Sequence, residues 1–110
     1  MPKFVTIGYG DRNGYDNTEA AVRDAAHAHD AWLRETGAIM GVAGSPVQVR
    51  NPGAAKVETR SAPFMSASLP VAGFAVIDAK DLEEAVIMVS KTPCAVAHGV
   101  VEVWPLIDPK

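Results

Sequence analysis

Two histidines within one predicted helix are the residues in this chain best suited to chemistry. His27 and His29 lie in a stretch, roughly 18–36, whose apolar residues recur with helical spacing. An imidazole titrates near neutral pH, so either histidine can serve as a general acid or base. Because they are two residues apart, they diverge by about 200° and cannot bind one metal ion from a regular helix. The sequence therefore predicts no metal site and no cofactor.

The helical phase separates the roles of the two histidines. At about 100° per residue, one side of the helix contains Val22, Ala25, Ala26, His29, Trp32 and Leu33. The other side contains Arg23, Asp24, His27, Asp30 and Arg34. We expect the first side to face the core, which makes His29 the first candidate base. Two alternatives stay open, namely a half-buried His29 bonded to a backbone carbonyl and a solvated His27.

Three further residues are candidates for orienting a small-molecule substrate. Tyr9 ends the first predicted strand, where a phenol can hold an anionic or phenolic ligand. Arg50 ends a second short strand and can bind a carboxylate. Phe64 lies in the loop 61–70 and can form a lid over a cleft. The structural alternatives are a packed aromatic, an exposed arginine and a loop anchor, respectively.

Composition limits the classes of function. With 110 residues, the chain is predicted to form one domain spanning 1–110. A formal charge of −3 and scattered basic residues argue against a nucleic-acid partner. The sequence contains no run of about 18 apolar residues, so no membrane span is predicted. The single cysteine, Cys94, and the absence of a signal-peptide pattern favour the cytoplasm.

The order of predicted elements indicates an α+β fold. Strands are expected at 3–10, 38–44, 74–77 and 97–106, and helices at 18–36 and 81–91. A hairpin at 47–60 turns at Asn51-Pro52-Gly53. This is a ferredoxin-like βαββαβ order with an extra hairpin. One face of the sheet is left bare, with Val5, Ile7, Val76 and either Val101 or Val103 on it, so we expect a homodimer that covers this face.

Segments spread over nearly the whole chain also carry a family pattern: Tyr9-Gly10-Asp11, Leu33-Arg34-Glu35-Thr36-Gly37, Val47-Gln48-Val49-Arg50, Ser61-Ala62-Pro63-Phe64, Ala72-Gly73-Phe74-Ala75-Val76-Ile77-Asp78, Asp81-Leu82-Glu83-Glu84-Ala85 and Gly99-Val100-Val101-Glu102-Val103-Trp104-Pro105-Leu106. In order and spacing they resemble the YCII-related protein family, DGPF subgroup, with Ser61-Ala62 in place of Asp-Gly. The resemblance implies a dimeric α+β barrel.

The resemblance also implies a type of site. The broader family is credited with a His–Asp pair in a cleft between helix and sheet, and one branch includes an enzyme that acts on chlorinated hydroxylated aromatics. In a gap-free match the family histidine falls next to His27, at Ala26, and the family aspartate falls on Thr92.

Three functions are expected from these features. The first is a cofactor-free lyase, isomerase or dehydrohalogenase with a histidine base, His29 or His27, and with Tyr9 and Arg50 orienting the substrate. The second is a non-catalytic module that binds or senses a small molecule. The third is a cofactor-independent monooxygenase.

Overall fold

The computed structural model describes residues 1–109 and shows a mixed α+β chain. Its elements in chain order are β1 (Lys3–Tyr9), α1 (Arg12–Asp16), α2 (Ala20–Glu35), β2 (Ile39–Val42), β3 (Gln48–Arg50), β4 (Glu58–Arg60), β5 (Val71–Asp78), α3 (Leu82–Val89), α4 (Pro93–Val96) and β6 (Val100–Leu106). The main sheet has four antiparallel strands in the order β2-β5-β1-β6. Strands β3 and β4 form a separate hairpin.

The core lies between one face of the main sheet and the helices. Phe4 of β1 and Ile77 of β5 point into it, and Ala85 and Val89 of α3 cover them from the helix side. Alternation along a strand and a spacing of four along a helix place these apolar side chains on facing surfaces. Leu33 is the apolar residue that α2 buries most deeply.

The second face of the sheet is open, as the sequence predicts, but its membership needs one correction. Val5, Ile7 and Val76 lie on it, half-buried. Val101 and Val103 do not, because they pack against the core cluster. Their cross-strand partners on β1 are Gly8 and Thr6, on the helix side, and directly paired residues share a face. The open face instead receives Trp104, which is 56% exposed.

The helices differ from prediction at their boundaries. The predicted helix 18–36 corresponds to α2 alone, which begins two residues later, with Glu19 as its N-cap, and α1 is an additional short helix at 12–16, where no helix was predicted. Gly37 ends α2 with a positive φ of 102°, which glycine adopts at low cost. α3 ends at Val89, and Pro93 begins the short helix α4, which was not predicted, because proline suits the first turn of a helix.

Within residues 1–109, no helix combines the length and the apolarity needed to cross a bilayer.

Candidate functional site

A cleft of about 480 Å³ lies between α2 and the helix-facing side of the sheet. Its floor is formed by β1 and β5, and its rim by α2 and the start of α4. The polar or ionisable side chains that line it are Thr6, His27, Asp30, Arg34, Thr92 and Cys94. We call this cavity the helix–sheet cleft.

Asp30 is the one carboxyl group among the described residues that line the helix–sheet cleft. Its Oδ1 atom is buried and has no hydrogen-bond partner among the described residues. Burial raises the pKa of Asp30, and the positive charges of Arg34, His27 and His29 only partly oppose that rise. A carboxylate with a raised pKa is a stronger proton acceptor than an ordinary one.

The sequence predicted Asp30 on the solvent side of the helix, and that placement is wrong. The buried residues of α2 are Ala26 and Leu33, and Asp30 stands between them at the i, i+4, i+7 spacing of a helix face. Val22 and Trp32, predicted to face the core, are 40% and 47% exposed. The helix is therefore rotated relative to the predicted phase, and the rotation brings Asp30 into the cleft.

His27 lies at the exposed rim of the helix–sheet cleft. Its Nε2 atom is 2.8 Å from the hydroxyl oxygen of Tyr15, and the Arg23 guanidinium stacks over the Tyr15 ring at 4.9 Å from the ring centre. These contacts fix the imidazole next to the opening. The histidine is thus in reach of a ligand without being part of the core.

His29 has a different environment. Its Nε2 atom is 2.6 Å from the carbonyl oxygen of Met88 in α3, to which it donates, and its ring packs against Trp32 at 5.3 Å between ring centres. The lining of the helix–sheet cleft includes His27 but, among the described residues, not His29. This hydrogen bond ties α2 to α3 and leaves His29 outside the cavity.

Cys94 lies in the helix–sheet cleft directly above β1. A Cβ atom at Gly8 would come within 2.9 Å of its Sγ atom, so a larger residue at this position would displace the Cys94 side chain. Burial, and secondly the charge of Asp30, raise the pKa of Cys94. The thiol therefore stays protonated near neutral pH and is a poor nucleophile.

A second, larger cavity of about 870 Å³ lies beneath the β3–β4 hairpin and the loop 61–70. We call it the hairpin pocket. Tyr9, Arg50 and Phe64 all line it, so the structure brings together the three residues predicted to bind substrate. The guanidinium of Arg50 lies 5.7 Å from the centre of the Phe64 ring.

Tyr9 is held by β6. Its hydroxyl donates to Oε1 of Glu102 at 2.6 Å, with the Met65 sulfur at 3.1 Å. This hydrogen bond is the main reason that the pKa of Tyr9 is raised. Tyr9 is therefore a neutral phenol, and its proton is already engaged.

The two cavities lie on opposite sides of the sheet. Thr6 and Ile77, on the helix side, line the helix–sheet cleft, whereas Tyr9, on the open side, lines the hairpin pocket. Phe74 of β5 borders both. The structure therefore does not bring His27 or His29 together with Tyr9, Arg50 and Phe64 around one ligand.

Among the described residues, no group of three or more His, Cys, Asp or Glu side chains is placed to hold a metal ion. Compared with known proteins, the chain matches no family model and has no significant match among curated proteins.

Sequence reasoning missed Asp30 and Gln48 as residues of interest. The position of Asp30 could have been predicted, because it stands four residues after Ala26 and three before Leu33, on the same helix face as both. No feature of the sequence indicated Gln48, because its environment depends on how the hairpin folds against the loop 61–70.

Proposed function

We propose that the helix–sheet cleft is the catalytic site of a cofactor-free enzyme that transfers protons on a small polar molecule. Lyase, isomerase and dehydrohalogenase reactions begin with such a step. The observation that carries this proposal is Asp30, a carboxylate with one buried, unpartnered oxygen and a raised pKa in a cavity of ligand size.

The charges around Asp30 support a division of roles. Asp30 accepts a proton from a carbon or hydroxyl of the substrate and becomes neutral, and Arg34 balances the negative charge that develops on the substrate. His27, at the rim, exchanges the proton with solvent or returns it to the product. The neutral Cys94 thiol takes no part as a nucleophile. This assigns the base to Asp30 in place of the histidine expected from the sequence.

The strand order supports a proposal about the family of the chain. Omitting the hairpin, the strand sequence β1-β2-β5-β6 and the sheet order β2-β5-β1-β6 agree with a ferredoxin-like arrangement. We propose that the chain is a YCII-related protein and that its open sheet face pairs with a second copy to form a dimeric barrel. Trp104, which is 56% exposed and lines neither cavity, supports that pairing because isolated domains rarely expose such large apolar side chains on an open sheet face.

Hydrogen exchange at carbon tests the proton-transfer proposal. The chain is incubated in deuterium oxide with a panel of small ketones, hydroxylated aromatics and chlorinated hydroxylated aromatics, and deuterium incorporation is followed by NMR. Asp30→Asn should reduce any exchange by a factor on the order of 10² to 10⁴. Asp24→Asn, an exposed carboxylate on the same helix, is the matched control and should have no effect. Equal exchange rates in the two variants would disprove the role of Asp30.

A non-catalytic binding module is the second candidate, and one observation favours it. The Thr92 hydroxyl, at the position implied for the family aspartate, donates to the Val89 carbonyl at 2.7 Å. His29, the first candidate base, is likewise bonded to a backbone carbonyl. Both Thr92 and His29 therefore make structural hydrogen bonds. Under this function the same panel gives saturable binding by NMR without deuterium incorporation, and Asp30→Asn alters affinity only.

The proposed dimer is tested by sedimentation with two tryptophan variants. Trp104→Ser changes the open sheet face, whereas Trp32→Ser changes the outer surface of α2 at similar exposure. We expect the native chain and Trp32→Ser to sediment at about twice the single-chain mass of 11.6 kDa, and Trp104→Ser near that mass. A native chain that sediments as a monomer at micromolar concentration refutes the dimer.

A further inference from the structure

The hairpin pocket has the size and lining of a ligand site that is separate from the helix–sheet cleft. Its volume of about 870 Å³ falls in the range of cavities that hold small molecules, roughly 300–1,000 Å³. Its walls are mostly apolar, with Phe64, Leu69 and Phe74 among them. Such walls favour a ligand with a flat or chain-like apolar body.

The charge of the pocket is one-sided. Arg50 is the only charged residue among the described residues that line it, so no lining carboxylate neutralises the guanidinium. Arg50 also makes no ion pair within 4.0 Å among the described residues. Its guanidinium carbon lies over the Phe64 ring at 5.7 Å from the ring centre, a contact that leaves the N–H groups free to bind an anion.

Gln48 is a second polar residue in the lining of the hairpin pocket, and one of its side-chain atoms lacks a hydrogen-bond partner among the described residues. Its Nε2 atom donates to the carbonyl oxygens of Ala62 and Pro63, at 3.0 and 3.3 Å. Both partners are acceptors, which fixes the orientation of the amide and turns Oε1 away from them. Oε1 is buried without a hydrogen-bond partner among the described residues. A ligand that supplies an O–H or N–H donor would satisfy this unpaired acceptor once the Gln48 amide shifts enough to expose Oε1 to the pocket.

From these features, the geometry points to a second binding site, in the hairpin pocket, for an apolar small molecule that bears one negative charge. The apolar body lies between Phe64 and Phe74, and the anionic group binds Arg50. A hydrogen-bond donor on the ligand, close to the anionic group, suits Gln48. This site goes beyond the proposed catalysis, because it lies on the other side of the sheet and uses neither Asp30 nor His27.

Two fluorescent dyes with the same ring system test the proposal. One is 8-anilinonaphthalene-1-sulfonate, which carries one negative charge and an N–H group. The other is N-phenyl-1-naphthylamine, its neutral counterpart. We expect the anionic dye to bind with single-site saturation and more tightly than the neutral dye. Arg50→Gln should weaken the anionic dye by a factor on the order of ten and leave the neutral dye unchanged.

The control is Arg60→Gln, which removes an exposed arginine from the same hairpin outside the pocket lining. It should change neither affinity. Phe64→Ala should weaken both dyes, because it removes an apolar wall. Melting temperatures of all variants are measured to show that each is folded.

Three results overturn the proposal. The first is equal affinity of the native chain for both dyes. The second is an equal effect of Arg50→Gln and Arg60→Gln, which indicates a general charge effect rather than a site. The third is loss of dye binding as the protein concentration rises, which indicates that a second copy of the chain fills the pocket.

Discussion

Replacing Asp30 with asparagine should stabilise the fold while impairing the proposed catalysis. The buried Oδ1 atom has no partner among the described residues, and the ionised carboxylate is partly desolvated. An unsatisfied buried polar atom costs about 1–3 kcal/mol, and more when it is charged. Asparagine is nearly isosteric and leaves a polar group at the site, but it removes the charge, which is the larger part of the cost. We therefore expect Asp30→Asn to raise the free energy of unfolding at pH 7 by about 1–3 kcal/mol.

The pH dependence of this gain follows from the direction of the pKa shift. The pKa of Asp30 lies above its ordinary value of 3.8 in the folded chain, so between those two values the folded state binds more protons than the unfolded state. The stability of the native chain therefore falls as the pH rises through that window. The advantage of Asp30→Asn should be absent below the ordinary pKa and complete above the raised one.

Urea denaturation followed by tryptophan fluorescence, at a series of pH values from 3 to 7.5, measures both effects. A gain of this size raises the melting temperature by roughly 4–12 °C for a domain of this length. Asp24→Asn, exposed on the same helix, should differ from the native chain by no more than about 0.5 kcal/mol at any pH. A native chain that is more stable than Asp30→Asn at pH 7, or a difference that does not vary with pH, would refute the reasoning.

Three other predictions concern the frame around the two cavities. Gly99→Ala should destabilise the fold by about 1–3 kcal/mol, because its methyl group would meet backbone carbonyl oxygens of β1 and α4. Gly44→Ala, with open space around the new methyl group, should leave stability unchanged, and thermal unfolding of both variants measures the difference. Asp81→Ala removes the N-cap of α3 and should cost about 1 kcal/mol in urea denaturation, with Asp81→Asn close to native. Lys3→Met should raise the pKa of Asp78, now held low mainly by its hydrogen bond from Lys3, and carboxyl chemical shifts in an NMR pH titration report the change.

The predictability of the fold depended on how clearly polarity alternates in each segment. In β1 and β5 the side of the sheet that Val5, Ile7 and Val76 occupy was predicted correctly. In β6, valines stand at 100, 101 and 103, so polarity alone does not assign the sides. The pairing of Val103 with Thr6 decides the matter, and that register is a tertiary property.

The phase of α2 was obscured by its alanines. Small side chains on several sides of the helix give a weak apolar contrast, so a rotation changes little in burial energy. The contact between His29 and the Met88 carbonyl, together with the burial of Leu33, sets the observed phase. These contacts join distant parts of the chain, and for that reason Asp30 was not predicted as a site residue.

The grouping of Tyr9, Arg50 and Phe64 followed from their places at strand ends and in the loop beside them. Their separation from the histidines did not, because the sequence does not tell on which side of the sheet the hairpin folds. The hairpin has only three residues in each of its strands, and its side chains are mostly exposed. Its position therefore depends on contacts with the loop 61–70, such as those of Gln48.

The two outer strands of the main sheet, β2 and β6, differ in their susceptibility to aggregation. An outer strand presents unpaired N–H and C=O groups that can template a foreign strand. In β6, Pro105 lacks an N–H group and interrupts that template. In β2 there is no proline, and Ile39 and Val42 are 76% and 92% exposed. Unwanted strand addition should therefore begin at β2, where only its length of four residues limits the contact.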